Sequence, residues 1–355
     1  MKSQKVIVCA GTGGVGKTTL SAALGVRAAS IGLKVLVLTV DPAKRLAAAL
    51  GLQNLDEERE VPAQAFSGKM FAAMVDQKRI LDRFVRDSGL DETIVERILN
   101  NNIYKKLSTT LSGSQEFTAL ERLYESYESG RYDLIILDTP PAAHAVEILD
   151  SAQKLSALFQ DSIIKWFIRP FEKRGALATL FNRGTNLAFK AFERLTGSAF
   201  LQELMDFLSE IYGLRDRLRL RMEAVHALLL RPESSFVLVT AFDASKIGEA
   251  RRFQRELTER KYQLGDVMIN RALPVWDIDG QDLRSGPALN EKLAAYYRQL
   301  RDYFSVHEEA FAAFQEDLRA QGLNNVRFLR IPDFDQDVYD LKSLERVAQA
   351  LVTAG

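Results

Sequence analysis

The chain has 355 residues, of which 47% are hydrophobic and 26% are charged, and its 47 Lys and Arg residues balance 47 Asp and Glu residues. Such a chain can bury a large core, and its zero net charge gives no indication of a nucleic-acid partner. The single cysteine, Cys9, excludes a disulfide within the chain and a zinc site built on paired cysteines. The sequence predicts no signal peptide and no membrane-spanning segment, so a soluble, cytoplasmic protein is expected.

Residues 5–20 predict a phosphate-binding turn between a buried strand and a helix. A short apolar run over residues 6–10 is typical of a parallel strand, and residues 11–18 then match the pattern G-x-x-x-x-G-K-[ST]. Glycines let the backbone turn so that successive N–H groups face one anion at the start of the helix. A glycine turn with a chance Lys-Thr pair is the weaker interpretation, because strand, loop and helix come in the required order.

The chemistry predicted at this turn is the binding of a nucleoside triphosphate. Lys17 would reach the β- and γ-phosphates as a point charge, and the Thr18 hydroxyl would bind Mg²⁺. The residues predicted to contact the nucleotide here are Gly13, Gly14, Val15, Gly16, Lys17, Thr18 and Thr19.

The next two elements place an aspartate at a strand end. A helix of small residues is predicted over 19–31, and a second buried strand over 34–40 leads into Asp41 and Pro42. Ligands of open α/β sheets lie just beyond the carboxyl ends of the strands, so Asp41 could act on the γ-phosphate or on the attacking water. Asp41 could equally cap a helix that begins near Pro42, and the residues alone leave both interpretations open.

A second strand-end aspartate follows a mainly helical stretch. Residues 53–70 are polar and irregular, a short strand is predicted over 70–75, and helices over 77–87, 93–100 and 115–127 enclose a looser segment at 101–113. The apolar strand over 132–138 closes on Asp138. Beside a phosphate loop, this geometry predicts that Asp138 holds the Mg²⁺ shell, through water.

The rest of the chain predicts a helical insertion and a return to the sheet. Residues 151–230 show dense amphipathic helix without a strand pattern, so they predict a helical insertion subdomain. The P-loop ATPase domain would consist of residues 1–150 and 231–355. The helices from about 77–130 could belong to the same layer as the insertion. Their apolar residues either fill a core and a dimer contact or line a groove for an apolar peptide or helix. Strands over 235–241, 265–271 and 326–329 alternate with helices over 245–262, 286–320 and 341–352. The predicted fold class is α/β, a P-loop NTPase αβα sandwich with a mostly parallel sheet.

The phosphate loop and the segments DPAKRL (41–46) and DTPPAAH (138–144) resemble those of the arsenite-pump (ArsA) and tail-anchored-protein-targeting (GET-type) family of ATPases. The resemblance is to a bacterial-type, single-length member, and it is strongest over 5–52, 131–150 and 264–345. Members are deviant-Walker P-loop proteins that work as nucleotide-sandwich dimers. The resemblance therefore implies an Mg²⁺-dependent ATPase that binds ATP and ADP as a homodimer or as a heterodimer with a paralogue.

The resemblance also implies roles for single residues. Asp41 would be the catalytic residue that orients the attacking water, and Lys17 would stabilise the transferred charge. The implied switch residues are Asp41, Pro42, Asp138 and His144, of which His144 would couple the nucleotide to the helical subdomain unless it is only a packing residue. Asn270 matches the family's adenine-reading asparagine, and the other residues implied at the base are Arg271, Pro332 and Asp333.

Three departures from the family pattern limit these expectations. Thr12 stands where deviant-Walker proteins carry a signature lysine, so Lys44, Arg45 or a paralogous partner would have to supply that cation. The arsenite-binding cysteines are missing, so no arsenite site is expected. The zinc-binding C-x-x-C of some targeting factors is also missing, so a dimer would rest on packing and on the nucleotide.

Three functions fit these features. The first is a nucleotide-driven dimeric switch whose segments 41–45 and 138–144 move helical subdomains that bind an apolar helix or a membrane-protein client. The second is a regulatory or energising subunit of a partner complex that has no client groove. The third is a kinase or ligase that acts on a small molecule.

Overall fold

The computed structural model describes residues 4–40, 45–62, 66–110, 114–139, 197–272, 291–334 and 337–353. The chain divides into two compact units, which we describe separately. The sheet unit comprises Met1–Met74, Glu125–Val146 and Leu229–Gly355, and the helical unit comprises Val75–Tyr124 and Glu147–Leu228.

The strands and helices of the described residues are numbered in chain order. The strands are β1 (Val6–Gly11), β2 (Lys34–Thr39), β3 (Arg59–Glu60), β4 (Lys69–Met74), β5 (Leu134–Asp138), β6 (Ser234–Ala241), β7 (Leu264–Ala272) and β8 (Arg327–Pro332). The helices are α1 (Lys17–Ser30), α2 (Arg45–Ala49), α3 (Gln77–Arg86), α4 (Glu92–Asn100), α5 (Asn102–Thr110), α6 (Ser114–Glu128), α7 (Ser198–Tyr212), α8 (Arg215–Leu229), α9 (Ala244–Glu259), α10 (Glu291–Ala320) and α11 (Leu341–Thr353).

The eight strands form one sheet in the order β3-β4-β2-β5-β1-β6-β7-β8. Every pairing is parallel except that of β3 with β4. All residues of β1 and β5 are buried, which explains why their sequences are continuous apolar runs. The predicted fold class, a P-loop NTPase with a mostly parallel sheet and flanking helices, is confirmed.

Helix α1 lies close against the sheet because its residues are small. A Cβ atom placed on Gly25 would lie 2.6 Å from Val37 Cγ2 and 2.8 Å from Met70 Cε, so a side chain at this position would collide with β2 and β4. Ala22, Ala23 and other small neighbours on this helix are fully buried in the same core. The close contact fixes the start of α1, and with it the phosphate loop, relative to the sheet.

The helical unit has its own core. Phe84 on α3 packs edge-on against Phe117 on α6, with ring centroids 5.3 Å apart. Arg221 on α8 forms a salt bridge of 3.2 Å with the buried Glu121, and its guanidinium lies 4.8 Å from the Tyr124 ring. Among the described residues, no helix combines the length and the apolarity needed to cross a bilayer.

Two local predictions differ from the structure. Most of the segment expected to be loose at 101–113 forms α5, because the Asn101 side chain accepts the N–H groups of Ile103 and Tyr104 at 2.8 and 3.2 Å and so caps the helix. The segment expected to be irregular at 53–70 contains β3, whose two residues are too few to show a strand pattern. Residues 151–196 of the predicted insertion and the predicted loop at 274–285 lie outside the described residues.

Candidate functional site

The candidate site lies at the carboxyl edge of the parallel sheet. Strands β1, β2 and β5 end there at Gly11, Thr39 and Asp138, and Asn270 lies two residues before the end of β7. This is the edge where open α/β sheets place their ligands. The loop between β1 and α1 crosses the centre of this edge, because β1 pairs with β5 on one side and with β6 on the other.

The backbone of the phosphate loop requires glycine. Gly14 and Gly16 adopt φ angles of 78° and 87°, a left-handed conformation that side chains disfavour. A Cβ atom on Gly11 would lie 2.1 Å from the Val239 carbonyl oxygen on β6. Gly16 occupies the N-cap of α1, where it offers no side chain to the first turn, so the N–H groups of that turn are available to an anion.

Lys17 places its charge inside the loop. Its side chain is 8% exposed, and its ammonium donates a hydrogen bond of 3.2 Å to the carbonyl oxygen of Gly11. A buried ammonium beside the N–H groups at the start of a helix makes the loop strongly attractive to a phosphate.

Asp138 gathers hydroxyl groups from two other elements. The Asp138 residue is 1% exposed. Its Oδ2 atom accepts hydrogen bonds from the hydroxyl groups of Thr18 at 2.7 Å and Thr39 at 2.9 Å. Its Oδ1 atom accepts one from the Ser21 hydroxyl at 3.4 Å. The structure therefore brings together Thr18 and Asp138, the two residues predicted to bind the metal. Thr139 holds the end of β5 against β1 through a hydrogen bond of 2.9 Å to the Cys9 carbonyl oxygen.

Thr39 and Ser21 were not predicted to belong to the site. Thr39 is the last residue of β2, and Ser21 lies on α1 four residues after Lys17, where it is fully buried. Both are hydroxyl residues that follow or precede runs of apolar residues, and that is the signal that could have identified them. The local sequence around these two residues does not reveal which group accepts their hydrogen bonds, because Asp138 is 99 residues from Thr39 and 117 residues from Ser21 along the chain.

The donor set fits a hard divalent cation. A carboxylate and a hydroxyl oxygen are the ligands that Mg²⁺ prefers, usually with water and phosphate oxygens completing its shell. Thr18 and Asp138 provide one of each, 2.7 Å apart, beside the loop that would hold the phosphates.

The residues predicted to contact the base lie at the ends of neighbouring strands. The Asn270 side chain donates a hydrogen bond of 2.9 Å to the Val15 carbonyl oxygen in the phosphate loop. Arg271 is exposed and adopts a φ angle of 53°. Pro332 and Asp333 are exposed at the end of β8, where the Asp333 N–H donates to the carbonyl oxygen of Ala272 at 3.3 Å.

Several predicted residues lie outside the described part of the chain. They are Asp41, Pro42, Lys44 and His144. Arg45 begins α2, and its side chain is likewise outside the described atoms. Thr12, at the position of the signature lysine, is 5% exposed, and its buried hydroxyl oxygen has no hydrogen-bond partner among the described residues.

Comparison with known proteins covers almost the whole chain. A family model described as anion-transporting ATPase matches residues 4–330, a range that includes Lys17, Asp138 and Asn270. The chain is 21% identical to a protein of Aquifex aeolicus that is named as an arsenical pump-driving ATPase, over 98% of this chain and 78% of that protein. It is 24% identical to ATPase GET3C of Arabidopsis thaliana over 79% of this chain and 70% of that protein. It is 23% identical to an ATPase ASNA1 homolog of Babesia bovis over 94% and 84% of the two chains.

Cys9 lies behind the site, where burial dominates its ionisation. Burial raises the pKa of its thiol to about 12 from an ordinary 9.0, and the carboxylate of Asp138 adds to the shift, whereas Ser21 and Lys17 oppose it. The folded chain therefore retains this proton over a pH range in which the unfolded chain has lost it. The contribution of Cys9 to stability is complete below pH 9.0 and falls as the pH rises towards 12.

We predict that the stability advantage of the parent over Cys9→Ala narrows between pH 8 and pH 10, by up to about 1.4 kcal/mol per pH unit above the ordinary pKa of the thiol. The measurement is the free energy of unfolding in urea at several pH values. Val8→Ala is the matched control, since it shortens a buried side chain of the same strand without removing a titrating group, and its deficit should not change with pH. A pH-independent deficit for Cys9→Ala would contradict the prediction.

Proposed function

Because the chain belongs to the anion-transporting ATPase family and is therefore an ATPase, we propose that a Mg²⁺-dependent cycle of ATP hydrolysis switches a dimer of this protein between two states. The observation that carries the proposal is the hydrogen bond between Thr18 and Asp138, which joins the phosphate loop to the end of β5. It brings a hydroxyl and a carboxylate to the loop that contains Lys17.

The phosphate loop binds the triphosphate through its backbone and Lys17. The N–H groups at the start of α1 donate to the phosphate oxygens, and the Lys17 ammonium exchanges the Gly11 carbonyl for an oxygen of the β- or γ-phosphate. The N–H groups are held by the start of the helix, so they stabilise the charge that moves onto the leaving group with little reorganisation, whereas Lys17 changes its partner.

Thr18 and Asp138 are the residues that would hold Mg²⁺, Asp138 through a water molecule. When bound, the ion supplies charge neutralisation across the β- and γ-phosphates. Thr39 and Ser21 orient the Asp138 carboxylate through their hydroxyl groups. This support fixes which carboxylate oxygens face the loop.

The attacking water and the base are assigned to residues at the neighbouring strand ends. Asp41 follows the end of β2 by two residues, so its place in the chain supports the proposal that it orients the water. Asn270 contacts the adenine, and Arg271, Pro332 and Asp333 border it from the ends of β7 and β8.

The output of the cycle is movement of the helical unit. We propose that the segments 41–45 and 138–144 follow the state of the nucleotide and move the helices of each subunit, which bind an apolar helix or a membrane-protein client. Support comes from relatives that are named GET3 and ASNA1 ATPases.

Thr12 favours a second candidate function. Because this buried threonine carries no charge, the second loop position cannot reach a partner's phosphates as a cation. A paralogous subunit that supplies the cation would make this chain the regulatory or energising member of a heterodimer. In a homodimer, Lys44 or Arg45 would have to take that role.

We predict that Lys17→Ala weakens ATP binding by about 10- to 100-fold, because a charged hydrogen-bond donor is lost from the phosphate site. Hydrolysis should fall further, by about 100-fold or more. The measurements are calorimetric titration with ATP and MgCl₂, and release of inorganic phosphate. Lys69→Ala, which removes an exposed lysine from the start of β4, is the control and should match the parent. Equal ATP affinity in Lys17→Ala would refute the proposed phosphate site.

We predict that Asp138→Asn abolishes most of the gain in ATP affinity that MgCl₂ produces in the parent, while affinity measured in EDTA changes by less than about twofold. The amide keeps one oxygen for the hydroxyl donors but removes the charge that attracts the cation. Asp133→Asn, at the opposite end of the same strand segment, is the control; its carboxylate accepts the Lys34 N–H at 2.8 Å. Undiminished Mg²⁺ enhancement in Asp138→Asn would exclude this carboxylate from the metal site.

We predict that the parent chain has twice its 39.9 kDa mass in the presence of MgCl₂, ADP and a fluoride mimic of the transferred phosphate. Light scattering after size exclusion measures the mass. At a nucleotide concentration close to the dissociation constant of the parent, Lys17→Ala should remain at the mass of one chain because its weaker binding leaves most of it without nucleotide. A mass of one chain for the parent in every nucleotide state would rule out the homodimer and leave the heterodimer, which is tested by adding a paralogue.

A further inference from the structure

Asn270 joins the end of β7 to the phosphate loop. Its Nδ2 atom donates a hydrogen bond of 2.9 Å to the Val15 carbonyl oxygen, although the two residues are 255 positions apart in the chain. The same amide packs directly against Gly16, where an added Cβ atom would lie 2.3 Å from Nδ2. The Asn270 main chain is also held, since its carbonyl oxygen accepts the Phe242 N–H at 3.2 Å.

This contact determines where one peptide group of the loop points. The peptide between Val15 and Gly16 is planar and trans, so its C=O and its N–H point in opposite directions. When Asn270 holds the carbonyl oxygen on the β7 side, the Gly16 N–H must face the other way. The Gly16 N–H immediately precedes the N–H groups of the first turn of α1 in the chain, and together they can form one anion-binding nest.

We propose that Asn270 is a positioning residue for phosphate binding, which holds the Val15–Gly16 peptide so that the Gly16 N–H donates to the triphosphate. The proposal rests on the proposed function, because it assumes that the loop binds a triphosphate. It assigns Asn270 a task that does not involve the base, in addition to the adenine contact.

One amide can perform both tasks. The Asn side chain has two N–H donors and an oxygen acceptor, and the bond to Val15 uses one of the donors. The second N–H and the oxygen remain to pair with the edge of adenine. A base bound by this amide therefore restrains the same peptide that binds phosphate, so occupancy of the base site and the geometry of the loop are coupled.

Inorganic tripolyphosphate separates the two tasks because it has no base. We expect Asn270→Ala to bind tripolyphosphate with MgCl₂ about tenfold more weakly than the parent, which corresponds to loss of one well-made hydrogen bond. ATP binding should fall by at least the same factor. Asn270→Asp should be weaker still, since its carboxylate cannot donate to Val15 and repels the ligand. Calorimetry on the full chain gives the affinities, and the thermal midpoint of each variant verifies that it is folded.

Asn324→Ala, the same substitution in an exposed turn before β8, is the matched control and should bind both ligands like the parent. If Asn270→Ala keeps the parent's tripolyphosphate affinity and loses only ATP affinity, Asn270 reads the base alone and the inference is wrong, while the proposed function stands. If it keeps both affinities, the inference is also wrong. If the parent binds neither ligand, the proposed function fails first, and the inference fails with it.

Discussion

The buried carboxylate of Asp138 is the group on which the geometry of the site depends. A carboxylate that is 1% exposed is unfavourable unless hydrogen bonds replace its water, and here hydroxyl groups from the loop helix and from β2 provide them. Because Thr18, Ser21 and Thr39 must all face one acidic group, the start of α1 and the ends of β2 and β5 are held in register. These hydrogen bonds therefore organise the site around one carboxylate.

Close backbone approach provides the second constraint. Gly11 leaves no room for a side chain against the β6 carbonyl of Val239, and Gly16 leaves none against the amide of Asn270. The loop thus approaches β6 at Gly11 and the Asn270 side chain at Gly16, and the left-handed φ angles of Gly14 and Gly16 allow it to turn there. Sterics fix the path of the loop, and hydrogen bonds from Lys17 and Asn270 hold carbonyl oxygens at its two ends.

What could be predicted from the sequence depended on whether the signal was local. The phosphate loop and the strand ending at Asp138 follow from short patterns, because the strand, the turn and the helix are each specified by adjacent residues. The ladder of parallel strands then brings Asp138 to the loop without further information. The hydroxyl donors Thr39 and Ser21 and the bond from Asn270 to Val15 could not be found this way, because each joins residues about a hundred or more positions apart. Helix α5 is different, since its cap at Asn101 is a local signal, yet residues 101–113 lack the clear apolar periodicity that would predict a helix.

In the proposed cycle, the same carboxylate links the phosphate loop to the segments that follow β2 and β5. Thr39 is the last residue of β2, and Asp138 is the last residue of β5, so both segments leave the sheet directly from a hydrogen-bonded pair. A carboxylate offers about four lone-pair positions, and here hydroxyl groups already occupy three of them, so a cation or its water would share the carboxylate with these donors. Because Thr18 belongs to the loop and Thr39 to β2, any such sharing would change the restraint on the strand end that leads to Asp41. In the proposed cycle, sensitivity to the nucleotide would follow from one acceptor that binds donors from two elements, and it would require no long-range path through the core.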